Sequence, residues 1–500
     1  MYKFTHKVTM NSKKVRTRFA PSPTGFIHVG NLRTALYSYL LAKKAGGVFI
    51  LRIEDTDQVR YVEGAIDKIC QILKETGLHY DEGPDIGGNY GPYIQSQRKE
   101  LYWEYAQKLI KTGNAYYCFC DKERLDKIRE QCRIAKIDPK YDGHCRNLPP
   151  EEIQKNLEDK KPFVIRQKMP TTGTTIFNDR VFGAIQVDFS QLDDQVLIKA
   201  DGLPTYNFAN VIDDHLMEIT HIIRGSEFLI STPKYNQLYK AFGWEIPTLV
   251  HVPPVMKAAG QKMSKRLGDA SYDDFIKKGY LKDAIINYIA LLGWSPGDNR
   301  EIFTLPELVN AFDINNINKA PAIFDEVKLS WLSGEYIRKL SLEEFVQMSL
   351  PYIKQAVSRA PIDVRKISQL LQPRVEKLTD IPAQIDFIDS VPDYPLDLYG
   401  HQKMKSTPES ALRFLKSALL VLNAIDNWSE EQIHTAVFEL INHLKIKTGQ
   451  LLWPLRVALS GKQSTPGGFI EIAYLLGKEE TIKRIKEAIR RLETEKVSGS

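Results

Sequence analysis

Two glycines, Gly25 and Gly30, flank Phe26-Ile27-His28-Val29 just ahead of a helical pattern. A helix N-terminus offers unpaired N–H groups and a partial positive charge. Glycine lets the backbone approach a phosphate, and a histidine adds a donor for charge developing on phosphate oxygens. The chemistry of such a loop is nucleotide binding; a bare glycine pair also reads as a turn that only joins strand to helix. A second group is sulfur: Cys118-Phe119-Cys120, then Cys145, with Cys132, Tyr141 and His144 nearby. Two thiolates one residue apart and a third from across a hairpin supply three corners of a tetrahedral zinc site. The plainer alternative is reduced, unmetallated thiols. Asp213-Asp214-His215 carries metal-ligating residue types, yet adjacent residues rarely converge on one ion, so the run reads as a turn with a supporting role. Alone, Lys262-Met263-Ser264-Lys265-Arg266 is a basic, solvated loop.

These groups must be held by regular elements. Residues 15–19 read as a strand, 20–25 as a loop, 29–45 as a helix stopped by Gly46-Gly47, and 48–53 as a second strand ending in Glu54-Asp55-Thr56-Asp57. Strand, helix and strand predict a βαβ unit with parallel strands. Helices follow at 62–76 and 96–112. From 116 to 200 the pattern is mixed, with strand-like runs at 163–165 and 196–199, as expected of an insertion. Regular signals resume at 206–212 and 219–223, and Ser231-Thr232-Pro233 predicts a helix start by N-cap and N1 proline. That completes a doubly wound α/β sheet. Beyond about 330 helical periodicity dominates, at 342–356, 408–424, 429–444 and 479–492, so an all-α C-terminal region is expected.

Composition narrows the class. The 500 residues suggest about three domains. With 68 Lys+Arg against 62 Asp+Glu, a net charge of +6, 26% charged and 43% apolar residues, the chain is an ordinary globular mixture rather than a disordered, collagenous or disulfide-built one. No apolar run approaches the ~18 residues of a membrane span, and no apolar segment follows the basic start. A soluble protein of a reducing compartment, the cytoplasm, is expected.

Three stretches carry a resemblance. Arg18-Phe19-Ala20-Pro21-Ser22-Pro23-Thr24-Gly25-Phe26-Ile27-His28-Val29-Gly30-Asn31 closely resembles the first signature of class I glutamyl-tRNA synthetases, and Arg52-Ile53-Glu54-Asp55-Thr56-Asp57 the next. Lys262-Met263-Ser264-Lys265-Arg266 is similar to the second class I element. The likeness runs over essentially the whole chain, to bacterial members in particular, through Gly202-Leu203-Pro204-Thr205-Tyr206, Ile223-Arg224-Gly225-Ser226-Glu227 and Trp453-Pro454-Leu455-Arg456. Asn31 stands where the class-wide signature has a second histidine, a position this family varies.

The resemblance implies a Rossmann-like catalytic domain in two halves, 1–112 and 201–253. It further implies an acceptor-binding insertion at 113–200, a stem-contact region carrying the lysine loop at 254–335, and helical anticodon-binding domains at 336–500. It implies formation of glutamyl-adenylate from L-glutamate and ATP with Mg²⁺, then transfer to tRNA(Glu), by a monomer. By the same resemblance His28, Lys262 and Lys265 are catalytic and, with Gly30 and Glu227, contact ATP. Arg18, Ala20, Ser22, Glu54, Tyr206, Asn210 and Arg224 hold glutamate, the arginines suiting a carboxylate over an amide. Cys118, Cys120, Tyr141 and Cys145 match a structural zinc site, with His144 as a local alternative. Arg374 in Gln372-Pro373-Arg374 falls where an arginine reads the last anticodon base. A glutaminyl-tRNA synthetase, a shorter tRNA-modifying glutamyl transferase and a catalytically idle RNA-binding paralogue are the alternatives.

Overall fold

A computed structural model of the chain describes residues 14–25, 27–258, 261–262 and 271–498. It divides into two compact units, 1–275 with 285–325, and 276–284 with 326–500.

In the first unit β1 (Arg16–Phe19) and β2 (Val48–Leu51) pair in parallel, Arg18 opposite Ile50, with α1 (Val29–Lys44) as the crossover. All eight strand residues are buried, as expected where both faces of a parallel sheet are covered. The turn into β2 needs glycine at 47: a Cβ there would run into the Val15 carbonyl, which accepts the Val48 N–H at 2.8 Å. The unit continues through α2 (Ala65–Glu75), α3 (Lys99–Lys111), β3 (Ala115–Cys118), α4 (Lys122–Ile134), α5 (Pro150–Glu158), β4 (Val164–Gln167), β5 (Thr174–Asp179), β6 (Gly183–Asp188) and β7 (Val196–Ile198). Next come α6 (Tyr206–Leu216), β8 (His221–Gly225), α7 (Thr232–Phe242), β9 (Thr248–Val252), β10 (Val255–Ala258) and β11 (Gln261–Lys262).

β8 and β9 are parallel, and β8 lies beside β1, where the Thr220 N–H donates to Arg16 O at 3.0 Å. The mixed segment forms two antiparallel pieces. β3–β4–β7 is a small sheet of its own, whereas the β5–β6 hairpin extends the main sheet, Asp179 pairing with Leu249 of β9. Val48, Ile50, Phe177, Met217, Ile222 and Leu249 form one core layer across these strands. The expected N-cap at Ser231 is not made. Its backbone is already helical, because a 3₁₀ turn at Ser226–Phe228 runs into α7, and Thr232 spends its hydroxyl on the Phe228 carbonyl at 2.9 Å.

The chain passes through α8 (Tyr272–Lys277), α9 (Lys282–Leu291), α10 (Leu305–Ala311) and β12 (Ala322–Ile323). The second unit is helical beyond 326: α11 (Glu326–Lys339), α12 (Leu342–Ala356), α13 (Val364–Leu371), α14 (Ile381–Ile385), α15 (Pro408–Asn423), α16 (Glu430–Leu444), α17 (Thr448–Ser460), α18 (Phe469–Leu476) and α19 (Lys478–Ser498). Ser341 and Glu344 form a capping box on α12, and Thr407 caps α15 ahead of Pro408 at N1. Phe345, Leu371, Phe414, Leu415, Val437, Leu455 and Ile485 fill its core. Among the described residues no helix is long and apolar enough to cross a membrane.

Candidate active site and metal centre

The loop between β1 and α1 lies at the carboxyl edge of the sheet, where open α/β sheets take ligands. Gly25 has φ +128°, a conformation that favours glycine. His28 caps α1: its Nδ1 accepts the Gly30 N–H at 3.1 Å, which puts the proton of the neutral ring on Nε2. In this loop Ala20 is half-buried and Ser22 exposed. Phe26 lies outside the described residues.

Beside it sits a buried charge network. Arg18 donates from Nε and Nη2 to the two oxygens of Asp214 at 3.0 and 3.2 Å, and from Nη1 to Ile223 O at 3.3 Å. Arg52 reaches Asp214 Oδ1 at 2.8 Å and Glu54 Oε1 at 3.0 Å. Asp213 accepts from Arg98 Nε (2.8 Å), Gln95 Nε2 (2.9 Å) and Tyr102 OH (2.7 Å). Arg18 and Arg52 are 3% and 0% exposed, so neither is a surface residue. Burial would raise the Asp214 carboxyl, but Arg18 and Arg52 outweigh it and hold it below the ordinary range. Glu54 goes the other way. Burial leads, Arg52 and Arg18 pull against it, and its pKa is pushed up to about 7. Arg52 is shared with Asp214, so Glu54 has half a partner.

Arg224, near the end of β8, is 5% exposed. Its Nε donates to His251 Nε2 at 2.9 Å and its Nη2 to Thr232 Oγ1 at 3.0 Å, while Nη1 is buried with no partner. Phe228 and Tyr235 face the guanidinium at 5.4 and 4.7 Å from their ring centres. Tyr206 and Asn210 occupy the first turns of α6; Tyr206 packs on Phe228 at 5.1 Å, and Asn210 Nδ2 donates to Tyr206 O at 2.6 Å. Burial, with Glu54 adding, raises the Tyr206 phenol, so it stays a donor. Glu227 is exposed and folds over Gly225, where a Cβ would run into its carboxylate.

The structure therefore brings Arg18, Glu54 and, one residue beyond the Ile223 carbonyl that Arg18 holds, Arg224 to one end of the sheet. Lys265 lies outside the described residues, and of Lys262 only the backbone is described, paired with Met256 in β11. Arg52, Asp179 and His251 received no role from the sequence. Arg52 was visible in its signature, but nothing local marks it as the partner of an aspartate far along the chain. Asp213-Asp214-His215, expected as a turn, is instead the end of α6, because the two carboxylates are drawn inward as acceptors for Arg98 and Arg18, and His215 stacks on Trp244 at 3.7 Å.

At the end of β3 the three cysteines meet. The sulfurs of Cys118, Cys120 and Cys145 lie within 4.8 Å of one another, Cys120 to Cys145 at 3.6 Å. Tyr141 Oη is 3.3 Å from Cys118 Sγ and 3.5 Å from Cys120 Sγ, and accepts the Cys145 N–H at 3.0 Å. Zinc–sulfur bonds of about 2.3 Å at tetrahedral angles give sulfur–sulfur edges of about 3.8 Å, so the donor set fits a zinc ion. His144 is exposed, and Cys132 is not in the cluster. A hydrogen bond from Cys145 leads in holding the Cys118 thiol below its ordinary value, against burial.

In the second unit Arg374 is exposed just past α13, its N–H donating to Leu371 O at 2.9 Å. Arg456 of α17 is near enough that Arg374, after burial, lowers its pKa.

Comparisons with known proteins agree with this geometry. Residues 14–331 match the catalytic domain of class I tRNA synthetases (E and Q), and residues 344–489 an anticodon binding domain. A glutamate–tRNA ligase of Clostridium tetani is 60% identical over 486 residues, 97% of this chain and 99% of that protein. One from Clostridium botulinum (strain Eklund 17B) is 59% identical over 97% of this chain and 100% of its own length. Among solved structures, a glutamate tRNA ligase of Elizabethkingia meningosepticum in complex with its amino acid superposes with a TM-score of 0.86 at 38% identity, and a glutamate-tRNA synthetase of Elizabethkingia anophelis at 0.87 and 37%. Each covers 96% of this chain and 100% of its own. A loop at the sheet's carboxyl edge, buried arginines beneath it, and two matching domain models spanning most of the chain lead to one assignment: the chain belongs to the class I tRNA synthetases of the glutamate and glutamine group.

Proposed function

We propose that this chain is a glutamyl-tRNA synthetase, which joins L-glutamate to ATP and then passes the glutamyl group to the terminal ribose of tRNA(Glu). The carrying observation is the pair of buried guanidiniums, Arg18 and Arg224, near the carboxyl ends of β1 and β8. Two such buried groups suit an anionic substrate and disfavour the isosteric amide, whose NH2 donates where a carboxylate oxygen would accept. In the first step a glutamate carboxylate oxygen bonds to the α-phosphorus and pyrophosphate leaves. In the second a ribose hydroxyl attacks the acyl carbon and AMP leaves.

The chain's own work is placement. Arg18 and Arg224 hold substrate carboxylates, Glu54 faces the α-ammonium group, and Ala20, Ser22, Tyr206 and Asn210 complete the pocket. His28, fixed by its cap on Gly30, Glu227 and the lysines 262 and 265 attend the nucleotide. Mg²⁺, when bound, neutralises the phosphate charge. The insertion at 113–200 takes the acceptor end, 254–335 the stem, and 336–500 the anticodon, with Arg374 reading its last base. The enzyme acts as a cytoplasmic monomer.

Aminoacylation of separated glutamate and glutamine tRNAs with labelled glutamate, glutamine competing, tests the reading. Charging of glutamate tRNA alone supports it together with the role of Arg374. Charging of both removes that role, and no charging favours an idle paralogue. Because the Glu54 carboxyl sits at about 7, the ionised form that pairs with an ammonium group is filled as pH rises through neutrality. The glutamate KM is therefore expected to fall several-fold between about pH 6 and about pH 8, and to lose that slope in Glu54→Gln. Equal slopes in both proteins would remove Glu54 from the ammonium site.

Cys118, Cys120, Cys145 and Tyr141 hold a structural zinc. Purified protein is expected to carry about one zinc per chain by elemental analysis, and Cys120→Ser to lose it with a lower Tm. A metal-free protein unaltered by Cys120→Ser would show the cluster to be plain thiols.

A further inference from the structure

The far side of Arg224 is unassigned, and its hydrogen bonds are all directional. We propose that His251, locked by Asp179, is the positioning residue that aims Arg224 at the substrate carboxylate and thereby supports the choice of acid over amide. The proposal rests on the glutamate-binding reading above and deepens it.

Nε goes to His251 Nε2 and Nη2 to Thr232 Oγ1, while Nη1 is buried with no protein partner and is the nitrogen left to meet a ligand oxygen. For His251 Nε2 to accept, the imidazole proton must sit on Nδ1, and it points at Asp179 Oδ2 at 2.7 Å. Asp179 cannot turn away. Its Oδ2 also takes the His251 N–H at 3.0 Å, and its Oδ1 takes the N–H groups of Val181 and Phe182, each at 2.9 Å. Carboxylate, tautomer and guanidinium are thus fixed in series.

The contrast with Arg18 explains the use of a histidine. Arg18 is held at two points by Asp214, whose charge it answers. Arg224 is held instead by two neutral groups, the His251 ring and the Thr232 hydroxyl, so its charge is left for the substrate carboxylate. Burial lowers the His251 pKa below the ordinary 6.5, with Arg224 and Arg18 adding and Asp179 opposing, and the ring stays neutral. Asp179 ends β5 in the inserted hairpin and His251 lies on β9. The pairing of β5 with β9 is what carries the inserted segment into the amino-acid pocket.

The test compares His251→Leu, His251→Gln and Asp179→Asn with the parent enzyme in steady-state charging of tRNA(Glu), with Tm measured alongside. His251→Leu is expected to raise the glutamate KM by ~10–30-fold and to admit glutamine more readily, with the ATP KM and kcat within about threefold. His251→Gln keeps an acceptor near Nε2 and restores most of the loss. Asp179→Asn matches His251→Leu, since an amide N–H on Nδ1 drives the ring proton to Nε2 and sets two donors face to face. The proposal is overturned by a folded His251→Leu with an unchanged glutamate KM, by equal changes in the ATP and glutamate KM, or by His251→Gln no better than leucine. Should the leucine variant not fold, the glutamine and Asp179→Asn variants decide by the same split. A parent enzyme that charges no glutamate sinks the functional reading instead, a separate result.

Discussion

Arg224→Leu is expected to lower kcat/KM for glutamate by about 10²–10³-fold while the protein stays folded. The side chain is 5% exposed and has one buried nitrogen, Nη1, with no protein partner. A substrate carboxylate there makes a charge-assisted bond to a buried donor. Loss of one partner from such a buried pair costs about 3–4 kcal/mol, and each 1.4 kcal/mol is about tenfold. The fold should survive because leucine fits the space between Phe228 and Tyr235, and only two acceptors, His251 and Thr232, lose a donor. Arg224→Lys keeps the charge but cannot reach His251 and the substrate in one plane, so an intermediate loss is expected. Steady-state charging with glutamate and with glutamine checks both. A fall of less than threefold in Arg224→Leu would take Arg224 out of the pocket.

Asp214→Ala is expected to destabilise the first unit by about 3–5 kcal/mol, enough to abolish activity at growth temperature. Asp214 is fully buried and answers two arginines at once, Arg18 at 3.0 and 3.2 Å and Arg52 at 2.8 Å. Removing it leaves two guanidiniums facing each other, with Arg52 keeping Glu54, itself reluctant to ionise at neutral pH, and Asp213 at 3.8 Å, already shared with Arg98. Asp214→Asn keeps one acceptor and loses the charge, and should fall between. Denaturant unfolding followed by a probe in the first unit measures the shift, since a chain of two units need not melt in one step. An unchanged midpoint for Asp214→Ala would mean that solvent or Glu54 had taken over the charge.

The two arginines are thus anchored differently: Arg18 by the Asp214 carboxylate, Arg224 by a neutral ring and a hydroxyl. The sequence marked both alike. It placed Arg18 in a strand and Arg224 after an apolar run, yet which atoms each would spend on the protein depended on Asp214, 196 positions from Arg18, and on His251 and Asp179, 72 positions apart. No local pattern announces such pairs.

What the sequence determined by itself was local and repetitive. Apolar runs marked β1, β2 and β8, periodicity with a glycine stop marked α1, and periodicity alone marked α12, α15, α16 and most of α19 while α11, α13, α14, α17 and α18 went unmarked; ordered signatures led to the family. These follow from forces between near neighbours and from motifs whose residues touch one substrate. Only the tertiary structure decided that Ser231 caps nothing, and that Glu54 is pushed toward neutrality while Asp214 is not. Each outcome turns on which distant group fills a shared space. In a low-dielectric interior that choice reverses the balance between burial and pairing.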